Sequence, residues 1–383
     1  MRIGILTFHK PVNYGAFLQA FSLSERLKKE FPEAQVEVVD YIAPMEKRRI
    51  RINVLRDFKH GGLRGGLRSI QKVRMFRQSQ KWLSLSERSF ADTDPGELFD
   101  YIKNRYDRLV IGSDAVFNWK QNGFPTVFIP NYDFGIPVLT YAASVHGLKY
   151  YDVEAEKLQT CAEAFEKMRF IGVRDACTEK FVRHCLPEAQ PQFCCDPTLL
   201  IDCDKLKELA GDYAARIEKK YKFSLDKKYI VLMAPDSELT KRIAEKYRGA
   251  YSFVALFKDS KYADVFLYDL NPFEWAMVLR GAAATVTSYF HGTLLSLVQG
   301  TPALVLDYSG YDDRYQGKLD DLMRTRLELP ELYHNKAYAE QFAGTDADWM
   351  LLEAMLSDAY REKILQAVEK TAVSFEGFLK ELR

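Results

Sequence analysis

Apolar and polar positions follow two rhythms along this chain. Arg2–Phe8 alternates and then runs apolar, as a buried parallel strand does. Gly15–Lys29 sets Ala16, Leu18, Ala20, Leu23 and Leu27 at helical spacing, and Gln35–Ile42 returns to strand character. The chain therefore opens β–loop–α–β, the unit of a doubly wound sheet. The rhythm continues with strands predicted at 106–114, 137–143, 169–175 and 191–195, and helices at 95–103, 152–168 and 175–184. Ser84–Arg88 reads as a loop, and 204–220 as a polar helix followed by a linker at 221–228.

A second series follows the linker. Strands are predicted at 229–233, 251–257, 265–268, 284–287 and 303–307, with helices at 237–247 and 271–280. The stretches 311–324 and 332–342 read as helices, and 346–382 as a helical segment long enough to pack across both halves. The predicted fold is α/β: a Rossmann-like domain over 1–203, a second over 221–345, and a C-terminal helical segment over 346–383. A length of 383 residues suits two domains.

Charge singles out one interruption. Residues 45–81 are rich in Lys and Arg (Lys47, Arg48, Arg49, Arg51, Arg56, Arg64, Arg68, Arg74, Arg77), with Val54, Leu55, Phe58, Leu67, Ile70, Val73 and Phe76 interleaved at helical spacing. This basic insertion reads either as a solvated helical excursion or as a peripheral contact with an anionic membrane surface or a diphosphate-linked lipid. The whole chain carries a formal charge of only +1, which argues against a nucleic-acid partner. Its first residues are a strand pattern rather than a signal peptide, and no stretch matches a membrane span. The six cysteines form no paired C-x-x-C set, so reduced thiols in a cytoplasmic protein and no metal site are expected.

Candidate chemistry gathers where predicted strands end. Ala284–Thr287 is followed by Ser288, Tyr289, Phe290 and His291, with Gly292 and Thr293 opening a helix from Leu294. Ligands of open α/β sheets bind beyond the carboxyl ends of strands, and a helix start there favours an anion. His291 is either a titratable ring beside that site or a buried histidine capping a strand. Asn13, Tyr14 and Gly15 occupy the first βα loop, where Asn and Gly also serve ordinary turns. Gly112-Ser113-Asp114 ends another strand; Asp114 is a base, a ligand for sugar hydroxyls or a turn cap. Arg174 arrives at the same edge and suits a carboxylate or phosphate, or an ion pair with a neighbour.

These residues, taken in order, carry a resemblance. Asn13-Tyr-Gly-Ala-Phe-Leu-Gln19-Ala, Val110-Ile-Gly-Ser-Asp114, Tyr141-Ala-Ala-Ser144, Gly172-Val-Arg174-Asp, Asp196-Pro-Thr-Leu-Leu and Ser288-Tyr-Phe-His291-Gly-Thr resemble the polysaccharide pyruvyl transferase family from residue 1 to about 310. The resemblance implies a GT-B-like fold of two Rossmann-like domains facing a cleft. It also implies transfer of pyruvate from phosphoenolpyruvate, as donor substrate with no further cofactor, to a sugar of a polysaccharide or lipid-linked glycan. That role belongs to exopolysaccharide or cell-envelope biosynthesis, in the cytoplasm or at the inner face of the membrane. Arg174 then clamps the anion and His291 acts as acid–base or phosphate ligand. Asp114 and Asp196 contact the sugar or support those that do.

Ketal formation requires the donor's carboxylate and phosphate to be held, its methylene carbon protonated, and two sugar hydroxyls deprotonated. One position departs from the family pattern: similar members carry an arginine two residues before the histidine, and here Tyr289 stands there. Arg280, Arg314 or a lysine are the candidates to supply the missing charge. The competing functions are a GT-B-type glycosyltransferase using a nucleotide sugar, and a non-catalytic glycan-binding relative.

Overall fold

In the computed structural model the chain is described over residues 1–91, 94–309 and 315–383, with only part of the side chains over 44–64 and none at 121–122. It forms two compact units. The first takes Met1–Leu200, with Tyr315, Gln316 and Ala372–Arg383; the second takes the described residues from Ile201 to Ser309, and Gly317–Thr371.

The first unit is built on seven strands: β1 (Arg2–Leu6), β2 (Gln35–Ile42), β3 (Leu85–Ala91), β4 (Arg108–Ile111), β5 (Val138–Ala143), β6 (Phe170–Val173) and β7 (Gln192–Phe193). Their order across the sheet is β3-β2-β1-β4-β5-β6-β7, and every pairing is parallel. Buried Val, Ile and Leu fill the central strands because helices cover both faces. The order reverses between β1 and β4, so the loops after these two strands lie side by side at the carboxyl edge.

The second unit repeats the plan with β8 (Tyr229–Met233), β9 (Ser252–Leu256), β10 (Val265–Leu267), β11 (Ala284–Thr287), β12 (Ala303–Asp307) and β13 (Tyr333–Asn335). Their order is β10-β9-β8-β11-β12-β13, again all parallel, with the reversal between β8 and β11. Asn271 starts the helix Pro272–Arg280 with a capping box to Glu274. Arg216 pairs with Glu274 through Nε at 2.8 Å and Nη2 at 2.8 Å, tying the helix Tyr213–Tyr221 to that helix start.

Four local expectations are corrected. The stretch 204–220 is two helices, Cys203–Ala210 and Tyr213–Tyr221, parted at Gly211, whose φ of 58° ends the first. Leu85–Arg88, inside the stretch expected as a loop, belongs to strand β3, an edge strand whose exposed Glu87, Arg88 and Ser89 hide the apolar alternation. Residues 333–335 form β13 before the short helix Lys336–Glu340, because three edge residues gain their strand character from pairing with β12. The helix after β11 spans Phe290–Leu297 rather than starting at Leu294. Its first-turn bond runs from Thr293 N–H to Tyr289 O at 2.9 Å, so Tyr289 is the N-cap and His291 a helical residue.

The basic stretch is helical over Pro44–Ser79, broken at Gly62, whose φ of 58° and ψ of −159° lie outside the helical region. Of the C-terminal segment, Asp358–Ala372 lies with the second unit up to Thr371, and Phe375–Leu382 with the first. There Phe378 packs 4.7 Å from Tyr141, and Ser374 Oγ accepts from Cys195 N–H at 2.9 Å. Among the described residues, no helix is long and apolar enough to cross a membrane.

Candidate active site

The first unit joins its switch-point loops through one buried amide. Gln19 lies in the helix Tyr14–Glu30, completely out of water. Its Nε2 donates to Ala16 O at 2.8 Å, Thr7 Oγ1 at 3.1 Å and Phe8 O at 3.2 Å. Its Oε1 accepts from the Ser113 hydroxyl and from Ser113 N–H at 3.3 Å. Thr7 Oγ1 in turn donates to Ser113 O at 3.0 Å. The loop after β1 and the loop after β4 are thus one hydrogen-bonded body. Sequence reasoning gave Gln19 no role; a glutamine on an otherwise apolar helical face is the signal that could have found it.

Asp114 follows Ser113 with φ of 76°, a left-handed conformation that Asp tolerates better than most residues. Its carbonyl accepts from Ser144 N–H at 2.9 Å. Its carboxylate Oδ1 lies 3.3 Å from Arg174 Nη1, and the same nitrogen lies 2.9 Å from Asp196 Oδ2. Arg174 and Asp196 are buried, with side chains 3% and 1% exposed, and Asp114 nearly so. Burial works against the Arg174 charge, but Asp114, Asp196 and Asp175 outweigh it and hold the guanidinium protonated, its pKa raised. Beside this group Asp175 caps the helix Ala176–Cys185, accepting from Thr178 N–H at 2.8 Å and Ser144 Oγ at 2.6 Å.

So the structure brings Asp114, Arg174 and Asp196 together, with Arg174 paired to two carboxylates rather than opened to solvent. Asn13 lies in the adjoining loop, where its Oδ1 accepts from Gly15 N–H at 3.1 Å and Ala16 N–H at 3.2 Å as the cap of the first helix. Tyr14 is buried and stacks on Phe76 with ring centroids 5.9 Å apart; Gly15 is buried.

The second unit places its own group at the reversal between β8 and β11. Ser288 N–H donates to Met233 O at 3.1 Å, joining the two strand ends. Gly292 is packed so tightly that a Cβ there would fall 2.8 Å from Met233 Cε. Thr293 Oγ1 donates to Tyr289 O at 3.1 Å. Ser288, Gly292 and Thr293 therefore frame the helix start, while His291 stands on its first turn with its ring 5.4 Å from the Phe290 ring. Tyr289 is 43% exposed and packs on Phe257 at 5.4 Å.

The candidate replacement charges separate cleanly. Arg280 closes the helix before β11, and its Nη1 donates to Cys203 O at 3.2 Å; it sits toward the amino end of the strand, on the opposite side from His291. Arg314 lies outside the described residues. Among the described residues, Lys318 is a cation on the His291 side, with Nζ 5.0 Å from the centre of the Phe290 ring.

A profile of the polysaccharide pyruvyl transferase family matches residues 13–310, which takes in both switch-point groups. The chain belongs to the polysaccharide pyruvyl transferase family. No curated protein matches its sequence. Among solved structures it is similar to a UDP-GlcNAc 2-epimerase from Neisseria meningitidis bound to UDP-GlcNAc: TM-score 0.57, 10% identity, covering 100% of this chain and 99% of that one. It is also similar to a putative UDP-N-acetylglucosamine 2-epimerase from Listeria monocytogenes, with TM-score 0.52, 11% identity, and 99% and 94% coverage. At such low identity these likenesses establish the fold, which is GT-B-like, and nothing about substrate. In this family member the ordered motifs occupy the carboxyl edges of two Rossmann-like sheets.

Proposed function

We propose that this family member transfers pyruvate from phosphoenolpyruvate to a sugar of a polysaccharide or lipid-linked glycan, forming a ketal and releasing phosphate. The carrying observation is the family match over residues 13–310, with His291 seated on the first helical turn at the switch point of the second sheet.

A proton is delivered to the donor's methylene carbon, leaving an oxocarbenium-like centre at its neighbour. One sugar hydroxyl adds there and loses its proton. The bond from that carbon to the phosphate oxygen breaks, phosphate leaves, and the second hydroxyl adds and loses its proton. His291 is the proposed proton carrier, and the helix start with Lys318 supplies the positive potential for the anionic donor. In the first unit, Asp114 contacts sugar hydroxyls or takes a proton from one, and Arg174 with Asp196 fixes its orientation. This assignment gives Arg174 a positioning role.

The test is a thermal-shift titration with phosphoenolpyruvate, and with UDP-, GDP- and CMP-sugars as comparators. At a hundredfold excess over Kd a ligand bound only by the folded chain adds about 2.7 kcal/mol. Stabilisation by phosphoenolpyruvate that falls in Lys318→Ala supports the proposal. Stabilisation by a nucleotide sugar alone makes the chain a glycosyltransferase. Glycan binding with no donor effect and no phosphate release in the presence of both substrates makes it a non-catalytic relative.

A further inference from the structure

The helical segment Pro44–Ser79 holds eleven Lys and Arg against two acids, a formal +9 in a chain whose total is +1. The rest of the chain is therefore acidic. A charge separation of this size suits an anionic partner for the segment.

Its described side chains show an apolar surface within that charge. Ile52, Leu55, Leu63, Leu67 and Ile70 are 48%, 68%, 72%, 55% and 47% exposed. Beyond the break at Gly62, Leu63, Leu67 and Ile70 recur at i, i+4 and i+7, so they form one stripe. The Phe58 ring packs against Gly66, where a Cβ would fall 2.2 Å from it, so the chain turns back at Gly62 and the two arms meet. Arg56, Lys59, Arg74 and Arg77 are exposed on the same segment. A second copy docking face to face would set +9 against +9, which disfavours a two-fold contact through this surface.

The root of the segment is fixed to the helix Tyr14–Glu30 and to the loop before it. Phe76 is buried between Tyr14 and Phe17, each with ring centroids 5.9 Å from it. Lys72 Nζ lies 5.7 Å from the centre of the Tyr14 ring, and Gln80 Nε2 donates to His9 O at 2.7 Å.

We infer that Pro44–Ser79 is an interfacial helical hairpin that docks on an anionic lipid bilayer. Leu63, Leu67 and Ile70 enter the boundary between headgroups and acyl chains, and the basic side chains meet lipid phosphates. Docking fixes the orientation of the His9–Tyr14 loop relative to the surface. The inference does not depend on the donor assignment.

The full chain is floated with vesicles of phosphatidylcholine alone and of phosphatidylcholine mixed with phosphatidylglycerol, at low and high salt. Expected are capture by the mixed vesicles at low salt, release at high salt, and little capture by phosphatidylcholine alone. Leu63→Glu/Leu67→Glu should weaken capture at least about tenfold, since it removes apolar contact and adds repulsion. Arg74→Glu/Arg77→Glu should do the same, and these exposed positions leave the unfolding midpoint unchanged. No capture of the wild type overturns the inference. So does equal capture by both vesicle types, or unchanged capture in both folded variants. Self-association lost in Leu63→Glu/Leu67→Glu, with no vesicle binding, also overturns it and makes a second copy the occupant.

Discussion

Arg174 Nη1 and Asp196 Oδ2 lie 2.9 Å apart with both side chains almost wholly withdrawn from water. Two desolvated charges this close compensate each other, and removing Arg174 leaves the buried Asp196 without its cation. Arg174→Ala should therefore cost about 3–5 kcal/mol of stability, read as a lowered urea midpoint. An unchanged midpoint would show that solvent reaches Asp196 and would return Arg174 to the role of an open anion clamp.

His291 makes the opposite prediction. It is half-buried on the first turn of its helix, and the frame around it is built by Ser288, Gly292 and Thr293. His291→Ala should lower phosphate release from phosphoenolpyruvate about 100-fold or more, the usual scale of one general acid–base group, with little change in midpoint. Release at the wild-type rate removes His291 from the mechanism.

Gln19 should behave as a positioning residue. Gln19→Leu keeps the size but strips the bonds to Thr7, Phe8 and Ser113, leaving buried groups unsatisfied at about 1–3 kcal/mol each. Stability should fall, and KM for the sugar should change more than KM for the donor if Asp114 contacts the acceptor. A variant with wild-type stability and kinetics would disprove the link.

Phe76 fixes the basic hairpin to the first helix. It is 1% exposed, and Phe76→Ala should cost about 3–5 kcal/mol. Limited proteolysis should then cut within 44–79 faster than in the wild type. Unchanged cleavage would mean that the segment is held elsewhere.

Asp40 sets a pH dependence. Burial alone would raise its pKa, but hydrogen bonds from His9, Lys10 and Ser89 outweigh burial and hold the carboxylate well below its usual range. A depressed folded-state pKa gives stability that is present above the ordinary carboxylate pKa and lost as pH falls through the folded value. The stability of Asp40→Asn should therefore fall less than that of the wild type between pH 5 and acid, about the range where unfolded carboxylates titrate. Parallel acid limbs would contradict this.

The two-unit α/β plan was legible because its strands are buried runs and its helices are amphipathic, and both signals are local. Lys47–Arg77 announced itself by charge for the same reason. Edge strands β3 and β13 were not legible, since their strand character comes from pairing with β2 and β12 rather than from their own side chains. At the candidate sites, residue type nominated Asp114, Arg174, Asp196 and His291. Only tertiary structure decided that Arg174 is shared by Asp114 and Asp196, that Gln19 ties two loops together, and that Lys318, not Arg280, stands near the His291 turn. Charge pairing and hydrogen bonding act over a few ångströms in space, and the partners at the first site lie up to 106 residues apart in the chain.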